Sequence, residues 1–398
     1  MAARRILFFA EAVTLAHVAR PLALAEGLGE DWEVHLACAP GYAHFARAPW
    51  KHHSLGSISS TVFLAALAKG RPLYDNATLN RYVQEDLALL AQVKPDVVVG
   101  DFRLSLSVSA RKAGVPYLTI TNAHWSPYAR VHFPIPEHPL VKVFGLSLAT
   151  ALFRLARPSV FARHARPLNV LRRQYGLAPL PADLRYTYTD GDQVLYADIP
   201  DFIPMGPLPR NHHFLGPVLW NPPVAPPPWW EEAKNHGLWV YLTLGSSGKA
   251  ELLPRVLGVL REFDLPVVIA TAGRAVSLPR GVYAADYLPG TEVCRHARLV
   301  ICNGGSATCY QALAAGVPIV GLPSNLDQFL TMQSVQDSGA GRLVRGDRSS
   351  IEALQRAVRE VLDTPAFTAG ALRQLAAAKR IDAPRRFADI AREVLEHG

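Results

Sequence analysis

The chain has few cysteines, and none of them has the spacing of a metal or redox motif. Its 398 residues include four, Cys38, Cys294, Cys302 and Cys309, without a Cys-x-x-Cys pair. Thiols this sparse are typical of reduced cysteines in a cytoplasm. The histidine pairs at 52–53 and 212–213 are adjacent, not at the i, i+4 spacing of a helical zinc site. We therefore expect a cytoplasmic protein without a metal site.

Long hydrophobic runs are also missing. The longest apolar stretch beyond the N-terminus, 143–153, lies between two basic residues. It is much shorter than the roughly 20 residues that span a bilayer. At the N-terminus, two arginines precede an apolar run, but Glu11 interrupts it and no cleavage site of small residues follows. The pattern predicts a buried first strand, no signal peptide and no transmembrane helix.

The chain has fewer acidic than basic residues. Asp and Glu number 33 against 41 Lys and Arg, which gives a formal net charge of +8. A basic protein attracts anions, such as nucleic acid, an anionic membrane face or a phosphorylated substrate. The basic residues are spread along the chain without a zinc-finger or RNA-binding pattern. We therefore expect no nucleic-acid partner, and keep the phosphorylated substrate and the membrane face as alternatives.

What is present indicates two folded α/β domains. The chain is 49% hydrophobic and 19% charged, and it is longer than one core usually supports. Predicted strands at 4–10, 32–37, 96–100, 117–121 and 193–197 alternate with helical segments, and the pattern restarts at 238–244, which is typical of parallel sheets. Prolines concentrate between the two halves. We therefore predict an N-terminal domain at 1–217, a proline-rich linker at 218–230, a C-terminal domain at 231–380 and a final helix at 381–398.

The stretch 299–328 predicts an anion site. It reads as a strand, a turn at Gly304 and Gly305, a helix from Ser306 and another strand. The first N–H groups of a helix lack intrahelical partners, and the helix dipole makes that end positive. A phosphate is the expected ligand. A second glycine-rich loop, 245–248, follows the first strand of the same half.

His17 and Asp101 form a candidate acid–base pair. His17 lies at the start of a predicted helix, and Asp101 follows the buried strand 96–100. An imidazole oriented by a carboxylate can remove a proton from a hydroxyl. Alternatively, His17 is a surface histidine and Asp101 a helix cap.

The segment 124–139 is rich in aromatic, histidine and proline residues and predicts an irregular loop of functional type. Predicted helices at 140–157 and 163–175 follow it, apolar with basic flanks. They are either core helices with solvated arginines or an interfacial surface that receives a hydrophobic substrate.

Three segments resemble the inverting family-1 glycosyltransferases, which include macrolide, glycopeptide and plant secondary-metabolite enzymes. The segment 303–328 is similar to their nucleotide-sugar signature, 240–248 to their Gly-Ser loop and 16–28 to their N-terminal Gly-His-x-x-Pro segment. The signature residues kept in this chain are Gly304, Gly305, Thr308, Ala312, Gly316, Val317, Pro318, Pro323, Asp327 and Gln328.

The resemblance implies a GT-B fold, with two Rossmann-like parallel-sheet domains facing each other across a cleft. It implies transfer of a sugar from a UDP- or TDP-sugar to a hydroxyl of a hydrophobic small-molecule or lipid acceptor, without a metal. His17 corresponds to the general base and Asp101 to its orienting carboxylate. The implied donor-binding residues are Ser246, Asn303, Gly304, Gly305, Ser306, Ala307, Thr308, Gln311, Asp327 and Gln328, and the candidate acceptor-binding residues are His124, Trp125 and Tyr128.

The implied partners are the nucleotide sugar and the acceptor. The basic charge and the apolar segment 141–157 keep open a peripheral contact with the inner membrane face, and a monomer and a homodimer both stay open. Four positions depart from the family pattern. Asn303 replaces a histidine, Ala307 a glycine, Gln311 a glutamate, and Gly290 a frequent glutamine. The loss of the histidine and the glutamate keeps open a binding protein with weak or no turnover. A nucleotide-sugar epimerase on the same fold is the other alternative.

Overall fold

The computed structural model describes residues 3–274, 276, 278–348 and 350–397, which fold around two parallel β-sheets. The chain divides into two units. Unit 1 contains the segment up to Val131, Ala151–Val218 and the segment from Ile381 onward. Unit 2 contains His132–Thr150 and Leu219–Arg380. The two parallel-sheet units agree with the predicted fold class.

Seven parallel strands form the sheet of unit 1, in the order β3-β2-β1-β4-β5-β6-β7. They are β1 (Arg4–Ala10), β2 (Trp32–Cys38), β3 (Lys51–Ser54), β4 (Val97–Asp101), β5 (Tyr117–Thr121), β6 (Gln193–Tyr196) and β7 (His212–Phe214). The helices that begin before Val218 are α1 (Ala16–Ala25), α2 (Ser60–Ala68), α3 (Asn76–Val93), α4 (Leu106–Ala113), α5 (Pro139–Gln174) and α6 (Leu184–Tyr188).

The register of the central strands places the candidate site. β4 pairs with β1, so that Asp101 lies opposite Ala10, and with β5, so that Asp101 lies opposite Ile120. The run of valines in β4 is buried, as expected for a strand covered on both faces. Since β1 leads through a short loop into α1, the start of α1 and the end of β4 lie at the same edge of the sheet, where ligands bind in such folds.

Six parallel strands form the sheet of unit 2, in the order β10-β9-β8-β11-β12-β13. They are β8 (Trp239–Thr243), β9 (Val267–Ala270), β10 (Val282–Ala285), β11 (Ala297–Cys302), β12 (Ile319–Gly321) and β13 (Gly341–Leu343). The helices are α7 (Trp230–Asn235), α8 (Leu253–Leu260), α9 (Gly290–Arg295), α10 (Ser306–Ala314), α11 (Leu326–Asp337), α12 (Ile351–Asp363) and α13 (Pro365–Ala378).

Two segments belong to a different unit from the residues that precede them in the chain. Residues 132–150 belong to unit 2, where the Glu137 N–H donates to the Ser324 carbonyl (3.1 Å) and Arg345 donates to the Ile135 carbonyl (2.8 Å). The sequence predicts them as part of the N-terminal domain 1–217. The irregular, proline-rich part of this segment, 132–138, has no periodicity that indicates which surface it covers. The last helix, α14 (Ala383–His397), lies in unit 1, with the Phe387 ring 5.6 Å from that of Phe8.

α5 consists of two helices that meet at a kink, which lies at Gly145 and not between the predicted helices 140–157 and 163–175. Only Gly145 within it has non-helical dihedral angles, and Pro158 and Pro167 are accommodated. Within the described residues it is the one helix long and apolar enough to cross a membrane, with a mean hydropathy of 1.5 over an 18-residue window. Core helices of soluble proteins pass the same test, but only 11% of this window is buried. The apolar stretch 143–153, from which no transmembrane helix is predicted, is shorter than this helix because it ends at the flanking basic residues. α5 continues through those basic residues.

Candidate active site

His17 and Asp101 are in direct contact. The imidazole Nδ1 lies 2.7 Å from the Asp101 Oδ1. The Asp101 side chain is fully buried, whereas His17 keeps 17% of its side chain exposed. Both residues lie at the end of an element: His17 is in the first turn of α1, and Asp101 is the last residue of β4. The geometry matches a histidine oriented through one ring nitrogen.

Arg20, one turn after His17 on α1, binds the same carboxylate. Its Nε donates to Asp101 Oδ2 and its Nη2 to Oδ1, both at 2.7 Å. The Arg20 residue is 8% exposed. Sequence reasoning missed this arginine, although its position three residues after His17 on a helix was a usable signal.

An aromatic cluster adjoins the histidine. The Phe102 ring stacks on the His17 imidazole, with centroids 4.7 Å apart and planes at 16°. Phe102 has a φ of 61°, which bulky residues adopt only when their surroundings enforce it. Its ring also contacts Phe63, Tyr74 and Tyr188. These four residues, missed in the sequence, make the surface beside His17 apolar and aromatic.

The predicted acceptor residues divide between two places. Trp125 meets Tyr188 edge-to-face at 5.3 Å, and His124 packs against Trp125 at 5.8 Å, so both adjoin the aromatic cluster. Tyr128 instead packs edge-to-face on His212 at 5.3 Å.

A buried ionic cluster around Arg103, the residue after Phe102, stabilises the turn at Phe102. Arg103 is fully buried and bonds Glu11 Oε2 (2.9 Å) and Asp86 Oδ1 (3.0 Å). Burial raises the pKa of both carboxyls, an effect that the guanidinium opposes. The Tyr82 hydroxyl also donates to Glu11 (3.0 Å). Because unpairing a buried charge is costly, this cluster holds the turn between Asp101 and Arg103 rigidly.

In unit 2, three predicted segments converge on Ser247. The Asn303 Nδ2 and the Gln328 Nε2 donate to the Ser247 Oγ at 3.1 and 3.2 Å. The Asn303 Oδ1 accepts the Gly305 N–H at 3.2 Å. Ser246, the serine predicted to bind the donor, accepts a hydrogen bond from Arg274 through its backbone carbonyl (2.7 Å). Ser247 is therefore the serine whose side chain joins the three segments.

The glycine turn and the helix behind it follow the predicted pattern. Gly304 has a φ of 77°, and α10 begins at Ser306 without a side-chain cap at Gly305. Ser306, Ala307 and Thr308 thus form the first turn, where backbone N–H groups lack intrahelical partners. Gln328 also caps α11 through the Ser324 and Asn325 N–H groups, and Asp327 lies in the same first turn.

Gln311 and Gly290, two of the departures from the family pattern, are packed together. The Gln311 Nε2 donates to the Trp220 carbonyl at 2.9 Å. A Cβ on Gly290 would lie 2.3 Å from the Gln311 Oε1. A larger residue at 290 therefore requires Gln311 to move. No group of three or more potential metal ligands occurs among the described residues.

Solved structures share this architecture. Spinosyn rhamnosyltransferase SpnG complexed with spinosyn aglycone matches with a TM-score of 0.72 and 19% identity, covering 98% of this chain and 100% of that one. The calicheamicin glycosyltransferase CalG4 matches with a TM-score of 0.70 and 19% identity, covering 100% and 99%. The chain therefore has the GT-B fold of natural-product glycosyltransferases, as predicted.

Sequence relatives are much closer. A PGL/p-HBAD biosynthesis glycosyltransferase of Mycobacterium tuberculosis is 48% identical over 374 residues, which cover 93% of this chain and 87% of the relative. A PGL/p-HBAD biosynthesis rhamnosyltransferase of Mycobacterium bovis is 47% identical and covers 93% and 83%. Residues 254–394 match the family described as erythromycin biosynthesis protein CIII-like, C-terminal domain. The identity to the two relatives, over most of their length, shows that the chain belongs to the glycosyltransferases and is a sugar-transferring enzyme.

Proposed function

We propose that the enzyme transfers a sugar, with inversion, from a nucleoside diphosphate sugar to a hydroxyl of a hydrophobic acceptor, with His17 as general base. The observation that carries this proposal is the 2.7 Å contact between His17 and the buried Asp101, beside an aromatic cluster. The aromatic surface suits an apolar acceptor, and the imidazole next to it supplies a base.

The proposed reaction needs no metal. The Nδ1–H of His17 donates to Asp101, and the other ring nitrogen, Nε2, takes the acceptor's hydroxyl proton. The hydroxyl oxygen forms a bond to the anomeric carbon as the bond from that carbon to the diphosphate oxygen breaks. The buried Asp101 stabilises the imidazolium. N–H groups at the start of α10 stabilise the charge on the departing diphosphate.

We propose Ser247, Asn303, Gly305 and the first turn of α10 as the diphosphate site, with Asp327 and Gln328 toward the sugar. SpnG has also been solved in complex with thymidine diphosphate, which supports testing TDP-sugars first and UDP-sugars beside them. The rhamnosyltransferase relative makes a rhamnosyl donor the first sugar to test.

The test is His17→Ala. We expect transfer to fall roughly 10²- to 10⁴-fold, the usual contribution of a positioned base. Donor binding should stay unchanged, because the proposed diphosphate site belongs to unit 2. The assay combines TDP- and UDP-sugars with pooled hydrophobic alcohols and phenols and detects products by mass spectrometry. His236→Ala, at an exposed histidine, is the matched control. Full activity in His17→Ala would exclude His17 as the base.

One relative supports a second candidate, a nucleotide-sugar-binding protein without turnover. It is described as an inactive PGL/p-HBAD biosynthesis glycosyltransferase and is 48% identical over 262 residues, 65% of this chain. Calorimetry decides between the two candidates. Donor binding without any product across the acceptor panel would favour the binding protein.

We further propose that α5 contacts an anionic membrane face. It exposes Val143, Phe144, Leu148 and Leu155, and residues 138–182 contain seven Lys or Arg but no Asp or Glu. Such a helix binds anionic lipid through apolar burial and charge attraction. Co-sedimentation with anionic vesicles at low salt should fall in Leu155→Glu but persist in Leu372→Glu, a control at an exposed leucine on α13. Equal sedimentation of both variants would contradict the proposal.

A further inference from the structure

Arg20 bonds Asp101 through two parallel hydrogen bonds in a buried setting. Both Nε and Nη2 lie 2.7 Å from a carboxylate oxygen. A guanidinium held side-on in this way defines the plane of the carboxylate, which a single point charge cannot do. The orientation of the Oδ1 that faces His17 thus depends on Arg20.

Arg20 is itself held from the opposite side. Its Nη1 donates to the Asn122 Oδ1 at 3.0 Å, and the Asn122 Nδ2 donates to the Asp198 Oδ1 at 2.9 Å. The Asp198 Oδ2 accepts the Ala123 N–H at 2.6 Å. All these residues are buried. The guanidinium is therefore fixed between the Asp101 carboxylate at the end of β4 and the Asn122 amide after β5, and its rotation would break several buried hydrogen bonds at once.

The distances around His17 determine where its proton lies. The His17 Nδ1 and the Arg20 Nη2 are each 2.7 Å from Asp101 Oδ1 and 3.0 Å from each other. An imidazole lone pair facing an anionic oxygen at 2.7 Å is repulsive, so a hydrogen lies between Nδ1 and Oδ1. The two nitrogens are close because they share one acceptor. With the hydrogen on Nδ1, a neutral ring keeps the lone pair on Nε2.

We infer that Arg20 is a positioning residue of the transfer reaction: it orients Asp101 so that His17 carries its proton on Nδ1 and presents Nε2 as the base. This inference rests on the proposed role of His17. Arg20 also compensates the charge of Asp101, so that the three side chains are neutral together before proton transfer and carry one positive charge after it. The buried carboxylate therefore never lacks a counter-ion.

The experiment compares Arg20→Lys and Arg20→Gln with the wild-type enzyme. Lysine keeps the charge but cannot bond both oxygens, and glutamine removes the charge. We expect kcat to fall on the order of 10²-fold in both variants, as for a misplaced catalytic group, with the donor KM unchanged. Rescue of kcat by lysine would overturn the orienting role.

A readout without turnover makes the test independent of activity. In protein labelled with ¹⁵N-histidine, the His17 signal, assigned from the His17→Ala spectrum, should show Nδ1–H in the wild type and a mixture of tautomers in Arg20→Gln. An unchanged tautomer with kcat within about twofold of wild type would overturn the inference. A fully active His17→Ala enzyme would overturn the proposed function instead.

Arg172→Gln is the matched control. Arg172 is similarly buried in unit 1 and bonds Asp190 at 2.7 Å, away from His17. Its loss should lower the melting temperature and leave the tautomer and kcat unchanged. If Arg20→Gln does not fold, Asn122→Ala tests the same chain of contacts, because it removes the Nη1 partner and keeps the charge. It should then show the mixed tautomer, and a wild-type spectrum would overturn the inference.

Discussion

At the residue scale, Asn303 shows how one departure from the family pattern is accommodated. Its amide is engaged on both sides, accepting the Gly305 N–H and donating to the Ser247 hydroxyl. A Cβ on Gly248 would lie 2.2 Å from the Leu244 carbonyl oxygen and 3.0 Å from the Asn303 Cβ, so the glycine loop packs closely against Asn303. The asparagine therefore organises the loop around the proposed diphosphate site through neutral hydrogen bonds.

Asn303→His should bind a nucleotide sugar no more tightly than the wild type. The larger ring must displace the 245–248 loop or give up one of the two hydrogen bonds, which offsets any gain from an imidazole. Titration calorimetry with the best donor measures this, and Asn235→His, at an exposed asparagine in unit 2, is the control. Tighter binding in Asn303→His would show that the loop makes room for the ring.

His212 should make stability depend on pH. Burial, with a smaller effect from His213, lowers the pKa of His212 to about 4. The unfolded chain therefore binds more protons between about pH 6.5 and 4, so stability is full above this window and falls as the pH drops through it. His212→Gln should flatten the change of melting temperature across the window, whereas Asn235→Gln, a control at an exposed residue that does not titrate, should not. Equal slopes in both variants would contradict the prediction.

Residue contacts were predictable only where a motif names both partners. The His17–Asp101 contact, the Gly304 turn and the start of α10 follow from local patterns. The roles of Arg20 and Ser247 do not follow from local patterns. In the sequence, Arg20 cannot be told from a solvated helical arginine, and Ser247 cannot be told from its neighbour Ser246, because their bonding partners are distant in the chain. The left-handed Phe102 contradicts local preference and depends on its tertiary neighbours.

At the element scale, the turn between β11 and α10 requires glycine. Gly304 has a positive φ, and a Cβ there would meet the Met332 Cγ at 2.6 Å and the Gln328 carbonyl oxygen at 3.1 Å. Both neighbours belong to α11, so this helix packs directly under the turn. The position of the α10 N-terminus thus depends on one residue without a side chain.

Gly304→Ala should destabilise the fold by about 1–2 kcal/mol from the left-handed φ alone, with additional loss from the contacts. It should also weaken donor binding, because the first turn of α10 moves. Gly258→Ala is the matched control, since that helical glycine in α8 has open space around it and should gain about 0.5–1 kcal/mol. Denaturant unfolding compares the two, and equal stability would refute the role of the turn.

Element prediction succeeded in the sheet centres. β1 and β5 have the predicted bounds, because central strands are continuous apolar runs. The edge strands β3, β7 and β13 were missed, since three or four residues such as Lys51–Ser54 show no clear alternation. The sequence does not predict α11, because its first residues read as the end of the sugar-nucleotide motif.

At the scale of the whole molecule, α14 completes the core of unit 1. Phe387, Ile390 and Ala391 are buried, and the Phe387 ring lies 5.6 Å from that of Phe8 in β1. Gly27 contacts the same helix so closely that a Cβ would lie 2.4 Å from the Pro384 carbonyl oxygen. α14 therefore stabilises β1 and α1.

Phe387→Ala should cost unit 1 about 3–5 kcal/mol, as for other large-to-small changes in a core. Hydrogen exchange should then speed up in β1 and α1 while β8 and β11 keep their protection. Donor binding should persist, since the proposed diphosphate site belongs to unit 2. Leu372→Ala, at an exposed leucine of α13, should change neither. Loss of protection in unit 2 first would refute the assignment of α14 to unit 1.

The composition of unit 1 also bears on how the protein is made. Its segments include both the first strand and the final helix, whereas unit 2 is complete once Arg380 has been added. Chains grow from the N-terminus at about 5–20 residues per second, and domains generally fold as they emerge. On the ribosome, unit 1 is therefore still incomplete when all of unit 2 has been made, and the apolar surface for α14 stays uncovered until α14 itself has emerged. A stalled or prematurely ended chain would present that surface to chaperones, while its second unit could already be folded.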